Sequence, residues 1–131
     1  MGPKVLVVDD DFELREAIVD LLIEGGFEAL SAKDGRDGIL EARMHPDLSA
    51  IVLDLRMPMM DGSAFRNEQL TDPELARIPV VVLSADRDGA TFAAELGVQA
   101  VVAKPFRPEA LFSALCAAMA DAAAEDWKTA V

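Results

Sequence analysis

The chain has 131 residues, 52% of them hydrophobic and 27% charged, which is enough for one domain with a buried core and too little for a second. A net charge of −12 argues against direct binding to DNA or RNA, because phosphate backbones need clustered lysine and arginine. A single cysteine, Cys116, excludes a disulfide framework and a paired-cysteine metal site, and nothing resembles a signal segment or a membrane span, so a cytoplasmic protein without membrane insertion is expected.

Val5-Leu6-Val7-Val8 is a short, β-branched apolar run that stops abruptly at Asp9-Asp10-Asp11, as a buried parallel strand ending in acid would. Leu14, Ala17, Ile18, Leu21 and Leu22 then recur at helical spacing, opposite Glu13, Arg15, Glu16 and Asp20, and Gly25-Gly26 stops the helix. Asp11 suits its N-cap. Phe27 to Ala32 reads as a second strand. Asp34 can cap a helix through about Met44, weakened by Gly35 and Gly38 and ended by Pro46. His45, beside that proline, reads as exposed and structural.

Ala50-Ile51-Val52-Leu53 is a third apolar strand ending at Asp54, with a turn built on Pro58 and Gly62. The short helix after Gly62 carries Ala64, Phe65 and Leu70 before Asp72-Pro73. Val80 to Ser84 is a fourth buried strand, with Pro79 at its start, where a missing ladder donor costs least. Asp88 or Gly89 opens a further helix through Phe92, Ala93 and Leu96, and Gly97 suits a left-handed helix end. Ala100 to Ala103 is the fifth strand. Pro108 fits the first turn of a last helix whose inward stripe is Leu111, Phe112, Leu115, Cys116 and Met119. Residues 121–131 form an Ala/acid-rich extension of that helix, or a tail, with Trp127 on a similar face.

Strands alternating with helices require right-handed crossovers, so the expected fold is a doubly wound, flavodoxin-like (βα)₅ α/β sandwich. Its five-stranded parallel sheet has the order 2-1-3-4-5, with helices on both faces. That order gathers the carboxyl ends of strands 1, 3, 4 and 5, and with them Asp9, Asp10, Asp54, Ser84 and Lys104.

Three neighbouring carboxylates repel one another, and a hard cation that prefers oxygen ligands relieves this. Mg²⁺ is the natural candidate, with Mn²⁺ able to stand in. Asp10 and Asp54 would bind it directly, Asp9 through water, and a backbone carbonyl of the turn after Asp54 would add a ligand. Asp54 can then attack a phosphoryl group in line, Lys104 supplies a mobile positive charge for its oxygens, and the Ser84 hydroxyl donates one hydrogen bond to them. The acyl phosphate so formed is reactive and suits a timed switch.

These pieces, in this order and spacing, resemble the receiver domain of two-component response regulators of the single-domain CheY-like kind. They are Val-Val-Asp-Asp at 7 to 10, Asp54 with Met57-Pro58 and Asp61-Gly62, Ser84-Ala85 after a valine-rich strand, and Lys104-Pro105-Phe106. The resemblance runs from Val5 to about Met119, within an expected receiver domain of residues 1–120. It implies phosphorylation of Asp54 by a histidine kinase, a phosphorelay partner or small phosphodonors, and output through contacts with a downstream protein target or a homodimer, not through an enzyme's turnover. It also implies that Asp9, Asp10, Asp54 and the carbonyl of Arg56 hold Mg²⁺, that Ser84 and Lys104 engage the phosphoryl group, and that the Lys104-Pro105 peptide is cis, aiming the lysine at the site.

The chain departs from that family at Val101, three residues before the lysine, where receivers usually carry Tyr, Phe or His as a switching rotor. Arg56 and Asp86, each two residues past Asp54 and Ser84, are expected to pair across the site mouth and slow hydrolysis of the acyl phosphate. Two other readings stand beside the switch. One is a receiver-like interaction module indifferent to phosphorylation. The other is a haloacid-dehalogenase-type phosphatase using Asp9-x-Asp11, against which the immediate helix after Phe12 and the lack of room for a substrate-recognising cap both count.

Overall fold

The computed structural model describes residues 2–55, 61–85, 94–95, 97–98 and 100–129, with side chains to Ala122. Five strands, β1 (Lys4–Val8), β2 (Glu28–Ala32), β3 (Ala50–Asp54), β4 (Val80–Ser84) and β5 (Ala100–Ala103), form one parallel sheet in the order β2-β1-β3-β4-β5. The described helices are α1 (Phe12–Glu24), α2 (Gly35–Met44), α3 (Gly62–Thr71), the single turn α4 (Pro73–Ala76) and α5 (Pro108–Thr129). This is the doubly wound sandwich that the alternation of strands and helices predicts. The expected helix from Asp88 or Gly89 to Leu96 lies almost wholly outside the described residues.

The apolar strand runs are continuous because both faces of the sheet are covered, and the twofold alternation of a strand divides each run between two cores. Leu6, Val8, Ile51, Leu53, Val80 and Val82 point to one face, where Ile39, Ala42, Phe65 and Leu75 of α2, α3 and α4 meet them. Val5, Val7, Ala50, Val52, Val81 and Leu83 point to the other, against Ile18 and Leu22 of α1 and Leu111, Leu115 and Ala118 of α5. Burial of these side chains is the main stabilising term. No helix among the described residues is long and apolar enough to cross a membrane.

Asp11 and Asp34 cap their helices as expected, and Asp61 caps α3 as well: their side chains accept from the backbone N–H groups of Leu14, Asp37 and Ala64 at 3.2, 2.8 and 2.9 Å. After α1 the chain reverses at Gly26, φ +93, and before β5 at Gly97, φ +64, both in the left-handed region that glycine enters without steric cost. Asp72 does more than stop α3, for its side chain accepts from Glu74 N–H at 3.0 Å and caps α4.

Periodicity places the helical stripes correctly but misses their edges. Ala17, Leu70 and Cys116 are exposed, whereas Ala118 is buried. The buried side chains of α3 besides Phe65 are polar, Arg66 and Gln69. His45 is half-buried, 3.5 Å from Glu41. Phe27 precedes β2 and stacks on Phe112 across 6.0 Å.

Gly38 is a packing requirement and not merely a weak point of α2. A Cβ there would stand 2.9 Å from a ring carbon of the buried Phe65 and 3.0 Å from a methyl of Val8. Gly38→Ala, a change that stabilises an unobstructed helix by about 1 kcal/mol, is therefore expected to destabilise this protein by about 1 kcal/mol through overpacking. A raised urea midpoint for the alanine variant would contradict this packing account.

Candidate functional site

Strand register brings the chemistry together. Val8 lies beside Leu53, Asp54 beside Leu83 and Ser84 beside Ala103, so Asp9, Asp54, Ser84 and Lys104 emerge along one carboxyl edge. In a doubly wound sheet that edge, near the reversal of strand order at β1 and β3, is where ligands bind. Asp9, Asp54 and Ser84 are buried, with 1%, 8% and 3% of their surfaces exposed, while Asp10 is exposed.

Asp9 is held by three hydrogen bonds. Its N–H donates to the Ala32 carbonyl at the end of β2 (3.2 Å), its own carbonyl accepts from Arg15 Nη1 (2.7 Å), and its Oδ1 accepts from Asp11 N–H (2.9 Å). Its Oδ2 is buried and has no hydrogen-bond partner among the described residues. Removal from water, with the nearby charge of Asp54 as a smaller contribution, raises the Asp9 carboxyl from 3.8 to about 6. A buried acceptor without a donor is costly, and a carboxylate more so.

One carboxylate oxygen from each of Asp9, Asp10 and Asp54 lies within 4.8 Å of the others. Lys104 reaches in from the end of β5, with Nζ 3.1 Å from Asp54 Oδ1. The lysine's N–H donates to the Ser84 carbonyl at 2.9 Å, which fixes the β5 end against the β4 end, and the Lys104-Pro105 peptide is cis. The donor set is all oxygen, carries excess negative charge and includes an orphaned acceptor, features that suit a hard divalent cation.

All five residues that the sequence assigns to one strand edge are thus brought together. The carbonyl of Arg56 and the side chain of Asp86, as well as Met57, Met59 and Met60, lie outside the described residues. So does the side chain of Trp127, although the backbone of α5 continues to Thr129. Val101 is partly exposed on β5. The role of Arg15 at the Asp9 carbonyl was not legible from spacing, because an arginine on the polar face of an amphipathic helix reads as solvated.

The family model for the response regulator receiver domain matches residues 5–116. The chain is 36% identical over 115 residues to a probable chemotaxis protein CheY of Rhizobium etli, covering 86% of this chain and 88% of that one. It is 31% identical over 140 residues to the transcriptional regulatory protein GltR of Pseudomonas aeruginosa, covering 97% of this chain but only 57% of the relative. Among solved structures, the chemotaxis protein CheY4 of Vibrio cholerae superimposes with a TM-score of 0.83 at 27% identity, over 90% of this chain and 99% of that one. The likeness therefore extends over both cores and the whole carboxyl edge of the sheet, and the chain belongs to the response regulator receiver domain family.

Proposed function

We propose that the chain is a phosphorylation-controlled signalling switch in which Asp54 accepts a phosphoryl group in a Mg²⁺-dependent reaction. The observation that carries this reading is the convergence of three carboxylates on one edge, with a buried, unpartnered oxygen on Asp9 and Lys104 in contact with Asp54. Their oxygens, within 4.8 Å of one another, compare with about 4.2 Å across an octahedral Mg²⁺. Asp10 and Asp54 would hold the ion directly and Asp9 would hold it directly or through water. The Arg56 carbonyl would complete the protein ligands. When bound, the ion neutralises charge on the transferring group.

The residues of the chain do the rest. An Asp54 oxygen attacks phosphorus in line, the phosphodonor's bond to phosphorus breaks, and the donor leaves with its electron pair. Lys104, released from Asp54 by the loss of its negative charge, can pair with a phosphoryl oxygen, and the Ser84 hydroxyl can donate to another. A histidine kinase or phosphotransfer protein would be the donor in the cell, and a downstream protein the reader. The chain spans little more than half the length of the regulator GltR.

The phosphatase reading loses its second carboxylate, for the Asp11 side chain is engaged in capping α1 through Leu14 N–H. The test is the intact mass of the protein after Mg²⁺ and acetyl phosphate. One labile phosphoryl group is expected, absent without Mg²⁺ and absent in Asp54→Asn. An adduct that persists in Asp54→Asn would remove Asp54 as acceptor. Mg²⁺ binding without any adduct, even from a cognate kinase, would leave the phosphorylation-independent module.

A further inference from the structure

We infer that Arg15 is a positioning residue for the cation site, an inference that rests on the function proposed above. Three features set it apart from an ordinary helix arginine. Its Nη1 donates to the backbone carbonyl of Asp9 at 2.7 Å, its guanidinium lies 5.4 Å from the centre of the Phe12 ring, and it is half-buried. Among the described residues it forms no ion pair, in a chain with 24 acidic residues and three carboxylates clustered at the end of its own helix. Its charge goes to a neutral carbonyl, so Arg15 takes up no carboxylate oxygen of the cluster.

That carbonyl belongs to the peptide unit joining Asp9 to Asp10. A peptide unit is planar, so fixing its oxygen fixes the plane and with it the directions in which both flanking residues leave the backbone. Asp9 has other anchors, in Ala32 and in Asp11 N–H. Asp10 has none among the described residues: it is exposed, and its side chain makes no hydrogen bond there. Arg15 is therefore what orients Asp10 toward Asp9 and Asp54 before a cation arrives. Preorganised oxygens do not have to be gathered at the moment of binding, and the affinity gains accordingly.

Phe12 follows from the same arrangement. It is 62% exposed, an unfavourable place for a phenyl ring at the mouth of a polar site. As a face beneath the guanidinium it limits the positions Arg15 can take, because a planar guanidinium can stack on the ring where an ammonium meets it only as a point charge. The flat face thus favours arginine over lysine here, while the contact to the Asp9 carbonyl uses a single donor, Nη1.

The test measures Mg²⁺ binding by titration calorimetry in the wild type, Arg15→Met and Arg15→Lys, alongside the protection of the Asp11 amide from hydrogen exchange in the metal-free proteins. Arg15→Met is expected to bind Mg²⁺ about tenfold more weakly, with Arg15→Lys in between and circular dichroism unchanged in both. The Asp11 amide, which donates to Asp9 Oδ1, should lose protection in Arg15→Met while amides in the middle of α1 keep theirs. A merely structural arginine would lower the melting temperature without moving the Mg²⁺ affinity, and that result would overturn the inference, as would undiminished protection at Asp11. Should the methionine variant not fold, wild-type Mg²⁺ affinity in Arg15→Lys would overturn it as well. Failure of the wild type to bind Mg²⁺ at all is a different outcome, which would sink the proposed function and this inference with it.

Discussion

Asp9→Asn is expected to make the metal-free protein more stable above pH 6 and to remove most of its affinity for Mg²⁺. The native carboxyl titrates at about 6, raised from 3.8 chiefly by burial. Between those values the folded state keeps a proton that the unfolded chain has lost, so the stability contributed by this group falls as pH rises from about 4 to 6 and stays low above that. A gap of that size corresponds to a cost on the order of 3 kcal/mol for the ionised group at neutral pH. Asparagine cannot ionise. Its oxygen can still accept from Asp11 N–H, and its amide would sit at the orphaned oxygen's place as a donor beside the carboxylates of Asp10 and Asp54.

Urea melts of the two metal-free proteins should therefore diverge by about 1–3 kcal/mol in favour of Asp9→Asn at pH 8 and converge near pH 4. Saturating Mg²⁺ should reverse the order, because it stabilises only the protein that binds it well. In the wild type, apparent Mg²⁺ affinity should decline roughly tenfold per pH unit once the pH is below the Asp9 value, since proton and cation compete for one carboxylate. A metal-free Asp9→Asn protein less stable than wild type at pH 8 would show that Oδ2 has a partner the structure does not reveal.

The same residue shows how far a sequence reaches. That Asp9, Asp10, Asp54, Ser84 and Lys104 share an edge follows from four apolar runs, those of β1, β3, β4 and β5, each ending at its functional residue or residues, and from a strand order that chain topology restricts to few choices. Those features are one-dimensional patterns, short continuous apolar runs that stop at a polar residue, and they survive translation into three dimensions. What spacing cannot express is which of two adjacent aspartates is buried, or that one oxygen of Asp9 is satisfied while the other is not. The same holds for Gly38, whose weak helix propensity is visible in sequence while the Phe65 ring that demands it comes from a helix 27 residues on. Ala17, Leu70 and Cys116 fail for a related reason: an apolar residue at helical spacing marks a face, but the width of the buried stripe is set by what packs on it.

Gln69→Leu, which keeps the size of the side chain and removes its polarity, is expected to cost about 2–4 kcal/mol. Arg66 and Gln69 are polar yet only 4% and 1% exposed, and Gln69, four residues after the buried Phe65, lies on the same face of α3. Gln69 Oε1 accepts from Arg66 Nη1 at 2.8 Å, while its Nε2 donates to the carbonyls of Leu75 and Ile78 at 2.8 and 3.0 Å. Arg66 Nη2 donates in turn to the Gly97 carbonyl at 3.0 Å. One amide thus joins α3 to the turn that feeds β4, and its arginine joins α3 to the turn that feeds β5. The Leu75 carbonyl also accepts from Ile78 N–H and tolerates the loss. The Ile78 carbonyl loses a donor, and Arg66 loses an acceptor in surroundings whose dryness already lowers its pKa. Gln69→Glu separates the two ends of the network. It offers Arg66 a carboxylate but presents negative charge to two carbonyls, so it should be worst at neutral pH and recover in acid, where a protonated carboxyl can donate to one of them. Gln69→Leu should show no such recovery. Equal stability of the leucine variant and the wild type in urea would mean that the amide is dispensable, and that apolar packing alone holds the approaches to β4 and β5.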